Sequence, residues 1–244
     1  MRPEIISLAG VVGFALVMMG IYAGTAGARG GADRTGRGGS FFMGFWVRNW
    51  FYWLIRPVTR ASVTIGLTPL FYNMFAVACG VGSMLAYATG HHPIAGALIF
   101  VSGIGDVMDG EVARATNVAD ARGAFLDSTL DRYTEFFAFA GLAYYFAGGW
   151  MAMAVVVALG GSLLVSYTRA RGESVGVLCK VGFMQRAERM ILLGLGSILD
   201  PTLSAALGRP EGTVVGGVVV VVAAGTLVTS VHRTVWIARA LKGR

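Results

Sequence analysis

Residues 106–131 read DVMDGEVARATNVADARGAFLDSTLD, and the nature of the whole chain turns on this stretch. It sets five Asp, one Glu and two Arg within 26 positions of an otherwise largely apolar sequence. Ionisable side chains are costly in a membrane segment and are tolerated there when they pair or bind ions. Their spacing is helical: Asp106, Asp109, Gly110 and Ala113 stand at i, i+3, i+4 and i+7, and Asp127 and Asp131 at i and i+4. Two such helices facing each other would gather four carboxylates at one point.

The surrounding composition says what kind of molecule holds them. With 244 residues, 55% hydrophobic and 14% charged, the chain is more apolar than a soluble domain, and its charges cluster between long uncharged runs, so a polytopic membrane protein is predicted. The net charge of +7 then reads as the positive-inside bias of membrane loops and as attraction to anionic headgroups. Nucleic acid is not expected as a partner, because no soluble module carries a basic stripe interleaved with aromatics. Cys79 and Cys179 lie too far apart for CxxC chemistry and imply no disulfide framework.

Residues 4–23 form an apolar run long enough to span a bilayer. Ala26-Gly27-Ala28 has the form of a signal-peptide cleavage site, but the run is long for a signal core and only Arg2 precedes it, which favours an uncleaved extra helix. A Gly-rich linker with Arg29, Arg34 and Arg37 follows. Residues 41–60, FFMGFWVRNWFYWLIRPVTR, mix aromatics with Arg and read as an interfacial helix that Pro57 closes or kinks. Apolar runs then recur at about 68–89, 94–112, 123–147, 150–168, 187–199 and 213–235, with a polar loop near 169–186. The expected fold is therefore all-α and integral to the membrane: residues 1–40 as apolar helix and linker, then residues 41–244 as one domain with an interfacial helix and six transmembrane helices. With the 114–122 loop in the cytoplasm, every Lys and Arg except Arg2 and Arg209 falls on that side, which puts the acidic stretch at the cytoplasmic edge of the cell membrane.

Carboxylate oxygens suit hard cations such as Mg2+ and Mn2+, and zinc-type Cys and His spacings are absent from the sequence. Two such ions can clamp a pyrophosphate as its bridging bond breaks. Gly110 and Gly123 leave room for close approach, Arg114 can pair with phosphate oxygens, and Asp131 can take a proton from an attacking hydroxyl.

The string D-x2-D-G-x2-A-R-x8-G-x3-D-x3-D, filled by Asp106, Asp109, Gly110, Ala113, Arg114, Gly123, Asp127 and Asp131, resembles the signature of the CDP-alcohol phosphotransferase family. The resemblance implies an interfacial helix, six transmembrane helices and a homodimer over residues 41–235, with residues 1–40 outside the family core. It implies two Mg2+ or Mn2+ ions on Asp106, Asp109 and Asp127, with Asp131 as further ligand and general base. Gly110, Arg114 and Gly123 would contact the CDP group of CDP-diacylglycerol, and Pro69, Leu70, Phe71, Tyr72 and Asn73 would border the nucleotide. Asp120 departs from the pattern, since many relatives carry a small hydroxyl residue there; the acid either weakens nucleotide binding or points into solvent.

The implied reaction is attack by an alcohol on the β-phosphate of CDP-diacylglycerol, with release of CMP. For the alcohol, Arg169, Arg171, Lys180, Arg186 and Arg189 form a basic group suited to an acceptor that carries phosphate, although loop charge alone would produce the same pattern. SYTRARGE and RAER are similar to elements of phosphatidylinositol-phosphate synthases and their archaeal counterparts, in which such residues bind the phosphate of inositol 1-phosphate. Inositol 1-phosphate is accordingly the first expectation and Arg169, Arg171, Arg186 and Arg189 the acceptor site, with glycerol 3-phosphate second and serine third. An intramembrane prenyltransferase would show two distant Asp-rich motifs. A divalent-cation transporter would continue its polar path through outer helix halves that here hold little beyond scattered Ser and Thr.

Overall fold

The structure, a computed structural model, describes residue 13, residues 16–24 and residues 45–242. Helical residues 16–24 (α1) are followed by α2 (Phe45–Thr64), α3 (Pro69–Ala88), α4 (His92–Ala115), α5 (Ala121–Tyr145), α6 (Trp150–Ser174), α7 (Arg186–Ala206) and α8 (Thr213–Lys242), and no strand occurs among the described residues. The rest of the expected first helix and linker, and positions 41–44 of the expected interfacial helix, lie outside the described residues. Four of these helices, α3, α4, α6 and α8, are long and apolar enough to cross a membrane. Helices α5 and α7, expected as spans, are diluted by Arg122, Asp127, Asp131, Arg132 and Glu135 in one and by Arg186, Glu188, Arg189 and Asp200 in the other.

Short turns make neighbouring helices antiparallel. Thr68 opens α3 by accepting a hydrogen bond from Phe71 N at 3.2 Å, and Pro69 takes the first helical position, where no N–H is needed. Gly90 turns the chain into α4 at φ 77°, a left-handed conformation that glycine adopts without steric cost. Close packing comes from missing side chains: a β-carbon at Gly96 would stand 2.5 Å from Gly194 O, so α4 and α7 meet backbone to backbone. Gly141 of α5 likewise lies directly against Met84 of α3. The core that results joins Tyr87, Ile99, Phe139, Leu142, Val155, Leu193, Val215 and Val219.

Four boundaries differ from expectation, among them the end of α8, which runs to Lys242 rather than about 235. Helix α2 runs on through Pro57 to Thr64, because contacts beyond the proline hold it: Thr59 and Ser62 are buried, and Ser62 Oγ meets Tyr72 Oη of α3 at 2.5 Å. Helix α6 extends to Ser174, so Arg169 and Arg171 sit on its last turns, where cations complement the helix dipole, rather than in a loop. Helix α7 likewise continues through Pro201 to Ala206. At the N-terminal side, the Tyr22 ring of α1 meets Trp46 of α2 edge-on and Trp53 at a tilt, with ring centroids 5.6 and 5.7 Å away.

The bundle has two polar ends. At one, Asp200 of α7 is fully buried and accepts from Gly212 N at 2.6 Å, Val214 N at 2.9 Å, Val215 N at 3.1 Å and Ser204 Oγ at 3.0 Å, and it pairs with His92 Nδ1 at 2.7 Å. This carboxylate satisfies the open amides at the start of α8 and ties α4, α7 and α8 together. The starts of α3, α5 and α7 and the ends of α4, α6 and α8 converge at the other end, which carries the acids of residues 106–131.

Candidate metal and phosphate site

Asp106 and Asp109 lie on the last turns of α4, and Asp127 and Asp131 near the start of α5, so the turn at 116–120 brings the two pairs face to face. Oxygens of Asp106, Asp127 and Asp131 all lie within 4.8 Å of one another. Asp109 is buried outside that trio, beside Asn73 of α3 and Asp127. Helix α2 closes this side through Ile55, which packs with Met108 and Val112.

The charge facing these acids comes from α7. Arg186 Nη1 donates to Asp106 Oδ2 at 2.8 Å, and its Nη2 lies 2.5 Å from Asp131 Oδ1, so one guanidinium forks across carboxylates from two helices. Asp127 Oδ1 is buried and has no hydrogen-bond partner among the described residues. A buried carboxylate oxygen without a donor is costly unless a cation meets it. The donor set, all carboxylate oxygen at short mutual distance, therefore fits a divalent metal ion such as Mg2+ or Mn2+.

Arg114 and Arg132, which lie beside these acids in sequence, pair with glutamates instead. Arg114 pairs with Glu111 one turn earlier, and its guanidinium lies over Gly110, where a β-carbon would come within 3.1 Å of Nη1. Arg132 approaches Glu135 at 4.0 Å. Asp120 caps α5: its Oδ1 accepts from Gly123 N at 2.7 Å. That bond accounts for the acid at this position in structural terms. Replacing Asp120 by Ala is expected to lower stability by about 1 kcal/mol, and Ser to restore most of it. Thermal melting of the three proteins in detergent measures this; equal melting of all three would remove the capping role.

The expected acceptor arginines are held by different partners. Arg169 pairs with Glu173 at 2.9 Å on the exposed end of α6, and Arg171 Nη1 reaches Ser174 Oγ at 3.3 Å. Arg189 is fully buried: Nε and Nη2 grip Glu135 at 2.7 and 3.1 Å, and Nη1 donates to Met184 O at 3.2 Å. Breaking such a pair strands a buried charge at a cost of about 3–5 kcal/mol, so the pair fixes α7 to α5. Glu135 was missing from the sequence-based candidates, although Asp127, Asp131 and Glu135 continue one i, i+4 ladder. Arg233 of α8 was missing too; it is buried and donates to Val181 O at 2.7 Å and Val165 O at 2.8 Å, which holds the 175–185 segment against α6 and α8.

Along α3, Pro69 to Asn73 run past the same end of the bundle. Leu70 and Phe71 are exposed there, Tyr72 meets Ser62, and buried Asn73 lies beside Asp109.

Apolar helices with an oxygen-rich, divalent-metal site at one end define a membrane-embedded metalloprotein. The chain belongs to the CDP-alcohol phosphatidyltransferase family, whose sequence profile matches residues 66–231. It is an enzyme, a metal-dependent transferase. It is 43% identical over 125 residues to the archaetidylinositol phosphate synthase of Methanothermobacter thermautotrophicus, covering 51% of this chain and 62% of that one. Against the phosphatidylinositol phosphate synthase of Streptomyces avermitilis it is 30% identical over 210 residues, covering 82% and 84% of the two chains. Its fold is similar to a crystal structure of Mycobacterium tuberculosis phosphatidylinositol phosphate synthase with CDP-DAG bound, at a TM-score of 0.66 and 25% identity over 74% of this chain and 92% of that one. The same protein has also been solved in complex with manganese and citrate.

Proposed function

We propose that this protein makes phosphatidylinositol phosphate by transferring the phosphatidyl group of CDP-diacylglycerol to inositol 1-phosphate. An inositol hydroxyl oxygen attacks the β-phosphorus, a new P–O ester bond forms, the pyrophosphate P–O bond breaks, and CMP leaves with the electron pair of that bond. Asp131 takes the hydroxyl proton. Asp106, Asp109, Asp127 and Asp131 would hold two Mg2+ or Mn2+ ions, which when bound supply Lewis-acid stabilisation of the pyrophosphate charge. Arg114 orients the nucleotide phosphates, Gly110 and Gly123 let the CDP group approach the backbone, and the Pro69–Asn73 turn borders the nucleotide, with Asp120 shaping that rim as a helix cap. Arg169, Arg171 and Arg186 meet the acceptor phosphate, with Arg189 held by Glu135 behind them.

The convergence of the Asp106, Asp127 and Asp131 oxygens within 4.8 Å, with Arg186 beside them, carries this reading. The names of the relatives favour an inositol phosphate over glycerol 3-phosphate. Six spans belong to the same reading: α5 and α7 each join two helices able to cross, and at a rise of roughly 1.5 Å per residue both reach across a hydrocarbon core of about 30 Å. So do the cytoplasmic orientation of the site, which rests on the placement of Lys and Arg, the domain division at residues 40 and 41, and a homodimer in the cell membrane.

The acceptor is tested by supplying purified protein in CDP-diacylglycerol vesicles with labelled inositol 1-phosphate or labelled glycerol 3-phosphate. Label should enter lipid from the inositol phosphate at least about tenfold faster, a difference of about 1.4 kcal/mol in transition-state binding. The opposite preference would make this a phosphatidylglycerol-phosphate synthase.

A further inference from the structure

Arg186 and Arg189 stand one turn apart on α7 and are held very differently. Arg189 is fully buried with all three guanidinium nitrogens bonded. Arg186 occupies the first position of α7, after the non-helical 175–185 segment, and its side chain is 22% exposed. Its Nε has no hydrogen-bond partner among the described residues, so only the two tips, on Asp106 and Asp131, anchor it. Those tips rest on two of the three carboxylates whose oxygens converge.

We propose that Arg186 is a two-position residue that couples metal loading to binding of the acceptor phosphate. This rests on the metal-site reading above. In one position its guanidinium is the countercharge of Asp106 and Asp131. A divalent cation competes for the same oxygens, and its arrival releases the side chain to meet a phosphate monoester. Metal and phosphorylated acceptor then favour each other's binding, and by linkage the effect is equal in both directions.

Mn2+ affinity, read by electron paramagnetic resonance of the free ion, and inositol 1-phosphate affinity, read by calorimetry with and without Mn2+, test this on the full chain. In the unmodified protein Mn2+ should tighten inositol 1-phosphate binding about tenfold, within the usual range of coupling between sites. Arg186→Gln should bind Mn2+ more tightly than the unmodified protein and lose the coupling. Coupling undiminished in Arg186→Gln, or none in the unmodified protein, overturns the proposal. Arg186→Lys keeps the charge but not the fork, and should retain only a small part of the coupling; full coupling in that variant overturns the proposal as well. Asp127→Asn separates the two readings. If it keeps full Mn2+ affinity, the metal site itself has been misassigned; if it loses Mn2+ while Arg186→Gln keeps its coupling, the arginine proposal alone fails.

Discussion

Asp127→Asn is expected to lower turnover about a thousandfold while raising the melting temperature of the metal-free protein, a combination that a merely structural residue would not give. A thousandfold is about 4 kcal/mol of transition-state stabilisation, in line with removal of one strong electrostatic contact. Asn keeps the shape of the side chain but gives up the charge and one carboxylate oxygen. Asp127 Oδ1 has no protein donor among the described residues, so without metal it contributes chiefly repulsion toward Asp106 and Asp131. Neutralising it relieves that repulsion, whereas with metal bound it removes a ligand. Melting curves in chelator, set beside CMP release in Mg2+ or Mn2+, measure both sides. A drop in stability equal to the loss of activity would argue against metal binding by Asp127.

For Asp131→Asn the expected result is different: turnover lost by a factor of about 10^2 to 10^4, the usual contribution of general-base catalysis, with CDP-diacylglycerol binding largely kept. Asp131 stands one turn beyond Asp127 on the same face of α5, and in the proposed reaction it takes the proton of the attacking hydroxyl. The variant also releases one prong of Arg186, so it should bind Mn2+ no worse than other single-ligand losses. Lipid binding is followed by nucleotide-lipid retention on the purified variant. Equal loss of binding and turnover would make Asp131 chiefly a metal ligand, not a separable base.

Much of this was legible because it is local. The two pairs of acids lie on helices joined by a short turn, so their spacing alone specifies that they meet, and α3 to α8 begin and end within a few residues of the hydrophobic pattern, the C-terminal ends of α6, α7 and α8 apart. Partners across helices were not legible. Arg114, Arg122 and Arg132 are the nearest cations in sequence, yet the countercharge is Arg186 of α7, because tertiary packing rather than chain proximity brings α7 to the start of α5. The same holds for Glu135 with Arg189 and for His92 with Asp200, pairs separated by 54 and 108 positions. The count of apolar spans was blurred for a related reason: the polar residues that build the site and the far-end cap sit in α5 and α7, and they dilute the hydropathy that would otherwise mark those helices.

Release of CMP from purified protein in CDP-diacylglycerol vesicles, followed with and without Mg2+ or Mn2+ and with and without inositol 1-phosphate, tests the central claim most directly. The account predicts one CMP per phospholipid formed, only when metal and acceptor are both present, and none after chelation until metal is restored. Absence of CMP with every phosphorylated or neutral alcohol, or release that persists in chelator, would contradict it.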